Sequence, residues 1–174
     1  MKRSMTLVIT SLLLSSCLPN PPPKIVTDPH LGVSIAYGSF ANVAVDTSYQ
    51  LFIPPFNSSH DEYGFSTLLD RRGKASLSEA WSFGKKLHYE KGEVHTMRCS
   101  DRGNCPTLES GIVMLDESDF QTGAKSGFEF ELIGKGGRAI GKIAPESFRE
   151  VLALKGKLVP VATSQAKVTK PLPQ

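Results

Sequence analysis

The sequence has little with which to cross a bilayer or hold a metal. Its longest apolar run, MTLVITSLLL at residues 5–14, would reach only about 15 Å as a helix, against roughly 30 Å of hydrocarbon, so no transmembrane helix is expected. There are 3 cysteines and 4 histidines, with no C-x-x-C, no H-E-x-x-H and no G-x-S-x-G. Those absences remove the low-pKa dithiol, the zinc-protease helix and the strained nucleophile turn. Aromatics are 8% of the chain and no dense basic run is interleaved with them, so nucleic acid is not expected as a partner. No internal repeat is found.

What is present begins at the N-terminus. Lys2 and Arg3 precede the apolar run, and the small residues Ser15 and Ser16 follow it, the charged, apolar and small segments of an export signal in order. Leu14-Ser15-Ser16-Cys17 resembles the lipobox of bacterial lipoproteins, over about the first 20 residues. The resemblance implies that residues 1–16 are a signal and that Cys17 becomes a lipidated first residue. Several acyl chains there would anchor the protein stably in a membrane. Leu18, where the enteric version of the family uses aspartate for inner-membrane retention, implies a periplasm-facing address on the outer membrane. The signal carries two of the 20 basic residues and none of the 17 acidic ones, so most of the +3 formal charge would leave with it.

With Cys17 taken by lipid, the resemblance leaves Cys99 and Cys105 as an even pair. Their spacer, Ser-Asp-Arg-Gly-Asn, is rich in turn formers and the implied compartment is oxidising, so a disulfide is expected, stabilising by about 2 kcal/mol in the chain-entropy picture. His88 and His95 could join these cysteines as zinc ligands. Their order, His-x6-His-x3-Cys-x5-Cys, matches no common structural-zinc spacing, so neither metal nor cofactor is expected.

Four segments follow from composition: the signal 1–16, a Pro-rich tether 17–30, a β-rich domain 31–155, and a disordered basic tail 156–174. The tether, with five prolines in LPNPPPKIVTDPH, would extend up to roughly 40 Å at about 3.1 Å per residue. SIAYGSF, NVAVDTSYQLFI and GIVMLD read as strands, and IPPFNSSHDEYG as a long loop. ASLSEAWSF alternates, placing Leu77, Trp81 and Phe83 on one face, although Ser76 and Glu79 could instead form a helix capping box. KLHYEKGEVHTMRC reads as a hairpin turning at Glu90-Lys91-Gly92. In GFEFELIGKGGRAIGKI, Phe128, Phe130 and Leu132 alternate with Glu129 and Glu131 around a glycine turn. Pro145, Glu146, the apolar set Phe148, Val151 and Leu152, and Gly156 mark one C-terminal helix. A shorter helical turn suits DESDFQTGAKSG. The sum is mainly β: an antiparallel β sandwich or barrel with one C-terminal helix.

Two motifs invite an enzymatic reading. Gly136, Gly141 and Lys142 have the spacing of a phosphate-binding loop, but Ile143 replaces its hydroxyl and the context is a hairpin. Ser82-Phe83-Gly84-Lys85, Ser100-Asp101-Arg102 and Lys125-Ser126-Gly127 resemble, in order, the three motifs of penicillin-recognising enzymes, which would make Ser82, Lys85 and Lys125 the machinery of an envelope hydrolase or acyl transferase. Gly84 in strand-like sequence, and a second S-x-x-K at Ser164 to Lys167, argue against it. The expected role is non-enzymatic: a binding or assembly component of the bacterial envelope, anchored at Cys17, with an envelope protein or cell-wall polymer as partner. In general form it resembles small envelope lipoproteins, without residues carried over.

Overall fold

The computed structural model describes residues 22–28, 32–39, 41–42, 49–96 and 105–158. Chain order is β1 (Lys24–Asp28), β2 (Val33–Tyr37), β3 (Ala41–Asn42), β4 (Tyr49–Ile53), β5 (Pro55–Ser58), β6 (Tyr63–Arg72), β7 (Leu77–Ser82), β8 (Lys85–Thr96), β9 (Pro106–Leu115), α1 (Glu117–Ser126), β10 (Phe128–Gly134), β11 (Gly137–Ile143) and α2 (Pro145–Lys155). The 11 strands form one antiparallel sheet in the order β1-β2-β5-β6-β9-β8-β7-β10-β11, with β4 also on β6 and β3 on β4. Pro54, which has no N–H to donate, separates β4 from β5, and both pair with β6.

The sheet curls over on itself. Three strands separate β6 from β10 in sheet order, yet the rings of Phe65 on β6 and Phe130 on β10 lie 4.7 Å apart across the core. The far edge is closed onto β4 by one side chain: the Tyr49 hydroxyl accepts the Ile140 N–H at 2.9 Å and donates to its carbonyl at 3.2 Å. This is the sandwich-or-open-barrel architecture that the alternation predicts. The two helices pack together on the inner face, where the ring of Phe120 on α1 meets Phe148 on α2 at 4.9 Å.

The β10–β11 hairpin is as the alternation requires: Phe128, Phe130 and Leu132 are buried, and Glu129 and Glu131 point outward. α2 starts at Pro145 and buries Phe148 and Val151, while Leu152 is only half-buried. Lys155 at its end pairs with Asp61 at 3.1 Å.

Five expectations are corrected. DESDFQTGAKSG forms a full ten-residue helix, α1, capped by the Asp116 carboxylate, which accepts the Asp119 N–H at 2.7 Å. IPPFNSSHDEYG contributes a fully buried strand, β5, because Ser58 closes a tight turn by accepting the His60 and Glu62 N–H groups. KLHYEKGEVHT is one continuous strand, β8: the register shifts between Lys91 and Val94, and the Ser110 hydroxyl accepts the Glu93 N–H at 2.8 Å and donates to its carbonyl at 3.1 Å. The segment that reads as a turn is thus absorbed as a bulge, and a methyl on Gly92 would collide with Ser110. In β7 a register shift pairs Leu77 with Gly134 but Glu79 with Ile133. Leu77, Ala80 and Ser82 therefore face inward, and Trp81 and Phe83 turn outward, because one inserted residue reverses every later side chain. Lastly, Lys24–Asp28, placed in the tether by composition, is strand β1 on β2.

Candidate functional site

The β7–β8 hairpin presents the most unusual side chain of the described residues. Ser82 pairs with Lys85, leaving Phe83 and Gly84 as a two-residue turn whose φ angles are 45° and 82°. Two-residue hairpins favour positive φ at both positions, which suits glycine or asparagine and costs a phenylalanine roughly 1–2 kcal/mol. Phe83 is nevertheless there, 87% exposed, so little burial offsets that cost.

On one side of Phe83 lies a groove of about 410 Å³ between the hairpin, α1 and β10. Leu87 and Phe128 supply apolar surface, and α1 supplies Asp119, Thr122 and Ser126, which share one helix face. The hydroxyl protons are committed: Ser82 donates to the Glu129 carbonyl at 2.6 Å, Thr122 to Ser118 at 2.8 Å, and Ser126 to Thr122 at 3.1 Å. Their oxygens are left as acceptors. Lys142 is paired with Glu129 at 2.7 Å. On the other side, a smaller hollow of about 210 Å³ is lined by Trp81, Glu131 and Ile140. Trp81 donates to Glu79 at 2.9 Å and lies under the Lys86 ammonium, 5.7 Å from the ring centroid.

The S-x-x-K residues come together here, but not in the arrangement that the chemistry needs. Lys85 is clamped by Asp119 at 2.6 Å and Asp116 at 2.9 Å, and these hydrogen bonds hold its ammonium well above the ordinary lysine range. A lysine so held does not take a proton from Ser82, whose own proton is on a backbone carbonyl. Lys125 does not line the groove; one residue from Ser126, it is turned about 100° round the helix. Ser100, Asp101 and Arg102 lie outside the described residues, as do Cys17 and Cys99. Gly136–Ile143 falls in and beside strand β11 and opens no helix, so its N–H groups form no phosphate cradle.

His88 and His95 sit on the same strand, seven residues and roughly 20 Å apart, each beside its own glutamate: His88 to Glu90 at 3.1 Å and His95 to Glu93 at 2.7 Å. They cannot share one zinc. Cys105 is disulfide-bonded, its partner lying outside the described residues.

Sequence reasoning missed Asp116, which caps α1, and Asp119, which with it holds Lys85. The lysine hydrogen bond, with help from Ser118 and the Asp119 N–H, pushes the Asp116 carboxyl well below the usual range. An unfolded aspartate titrates near 3.8, so this contribution is complete above that pH and is lost as acidification protonates the folded carboxyl. Asp116→Asn keeps a capping oxygen and loses the ion pair. Its urea midpoint is expected to fall less than that of the wild type between pH 7 and pH 3, by an amount under about 1 kcal/mol because the pair is solvent-screened.

No family model matches the chain, and no curated protein or solved structure is significantly similar to it. Function therefore rests on the geometry.

Proposed function

We propose that this protein is a lipid-anchored, periplasm-facing lipoprotein of the outer membrane that acts as a non-enzymatic binding component of the envelope, docking an envelope protein on its β7–β8 hairpin. The observation that carries the binding role is Phe83. A positive-φ conformation held by a phenylalanine that stays 87% exposed is the kind of backbone strain that collects at functional positions. A phenylalanine donates and accepts no conventional hydrogen bond and gains most by filling an apolar pocket, which favours a protein partner over a cell-wall polymer. The grooves beside it add hydroxyl and carboxylate acceptors for the partner's N–H and O–H groups.

The address is supported by the lipobox resemblance at Leu14–Cys17 and by the disulfide at Cys105, which suits an oxidising compartment. Among the described residues, no helix is long and apolar enough to cross a membrane. Because β1 begins at Lys24, a lipid on Cys17 would be at most about 25 Å of chain from the sheet, closer than the tether expected from composition.

The test is Phe83→Gly in the full chain, expressed in cells with a photo-crosslinking residue in place of Ile140. The variant is expected to be more stable by about 1 kcal/mol, since glycine accepts the turn, and to lose the adducts that the Phe83 protein forms. An unchanged adduct pattern would refute the docking role, and adducts of glycan rather than protein would move the partner to the wall polymer. Labelled palmitate, incorporated by the wild type and not by Cys17→Ser, tests the anchor separately.

A further inference from the structure

The two edges of the sheet are treated differently. At β11 the outward N–H and C=O of Ile140 are taken by the Tyr49 hydroxyl. At the other end β1 pairs, among the described residues, with β2 alone. Lys24, Ile25, Val26 and Thr27 are all exposed, on both faces of the strand, with Ile25 36% and Val26 42% accessible. A strand edge of this kind is a template for another strand, and this one spells its own complement.

The geometry points to a second copy of this chain as the occupant, joined by antiparallel pairing of β1 with β1 about a two-fold axis at Val26. In that register Val26 meets Val26 of the second copy, Ile25 meets Thr27, and Lys24 meets Asp28 twice, once on each side of the axis. β-branched pairs and opposite charges directly across a ladder each stabilise it. Asp28 already has an interaction within its own protomer, and a carboxylate has acceptor sites for a further cation. The flanking sequence fixes the register: Pro23 and Pro29 bracket the five residues, and a shifted pairing sets a proline, without an N–H, against the ladder. The contact is isologous, so it closes at two copies and does not grow into a fibre. The axis stands perpendicular to the sheet and turns the same face of both copies to one side. The groove of about 420 Å³ that Val26 forms with Tyr37 and Phe52 is thereby doubled into one surface. This assembly goes beyond the docking role of Phe83 and depends neither on it nor on the anchor.

The experiment is register-specific crosslinking of the full chain. With Val26→Cys, cysteines of the two copies face each other at roughly 5 Å between Cβ atoms, and mild oxidation is expected to convert most of the protein to a covalent dimer on a non-reducing gel. Thr27→Cys, which faces Ile25 of the other copy, is expected to crosslink several-fold less, and the wild type with its native cysteines sets the baseline. Adding Lys24→Asp to the Val26→Cys chain places like charges opposite Asp28 and is expected to lower the dimer yield roughly tenfold, whereas Lys24→Arg preserves it. Val26→Cys at the wild-type baseline, equal crosslinking through Thr27→Cys, or indifference to Lys24→Asp would each overturn the proposal.

Discussion

Replacing Glu109 by alanine is expected to lower unfolding stability by roughly 3–5 kcal/mol, read as a lower urea midpoint at unchanged slope. Glu109 sits on β9 at an inward position of the alternation and is 1% exposed. Its carboxylate is not stranded. One oxygen accepts the backbone N–H groups of Ala75 and of Ser76, the latter at 3.1 Å, and the other accepts that of Leu77 at 3.1 Å. Ser76 at φ 52° makes three successive N–H groups converge, forming a nest for an anion.

Alanine would leave those donors without a partner where water does not reach, and the cost is that of desolvated amides rather than of one lost contact. Glu109→Gln keeps an acceptor for Ala75 and Ser76 but points an amide N–H at the Leu77 N–H. About half the alanine loss is expected. Equal stability of Glu109→Ala and the wild type would mean that the crossing from β6 to β7 is not held by this carboxylate.

Phe120→Ala is the other large effect, expected at about 3–5 kcal/mol. Phe120 is fully buried on α1, with its ring centroid 5.1 Å from that of Tyr63 on β6 and 4.9 Å from that of Phe148 on α2. It is the residue by which a polar helix is pinned to both the sheet and the second helix. Truncation removes both ring contacts, the tilted one with Tyr63 and the edge-on one with Phe148, and leaves a cavity that three different elements would have to close together. Phe120→Leu fills most of that volume, and a loss of about 1–2 kcal/mol is expected. Because α1 also carries Asp119, Thr122 and Ser126 into the groove, amide exchange in this helix should rise more than in β6 or β9, by local opening. A uniform rise across the sheet would show that α1 does not open by itself.

Where the sequence was legible, the signal was local. Phe128, Phe130 and Leu132 alternate with glutamates because a strand has period two, and Pro145, Glu146 and Gly156 mark a helix through properties of single residues. The errors share a cause as well. The glycine and charges of Glu90–Glu93 have the composition of a turn, and they stay in a strand because Ser110, brought alongside by β9, satisfies the bulge. Trp81 and Phe83 face outward because a single inserted residue in β7 reverses the phase, a fact that appears only in the pairing with β10. The sequence of α1 suggests only a short turn because Ser, Asp, Thr and Gly are weak helix formers, and the helix's stability comes from Asp116 and the packing of Phe120.

The residues by themselves determined the class of fold: alternating strands, a glycine-turned hairpin and a helix opened by proline, each a consequence of backbone geometry within a few neighbours. The tertiary structure decided what those strands present. Lys85 meets an aspartate 31 residues away and Glu109 finds its last amide 32 residues back, and no periodicity carries that information. Charge partners, bulge phase and exposed edges are set by which strand lies beside which, and that is fixed only when the whole sheet closes around its core.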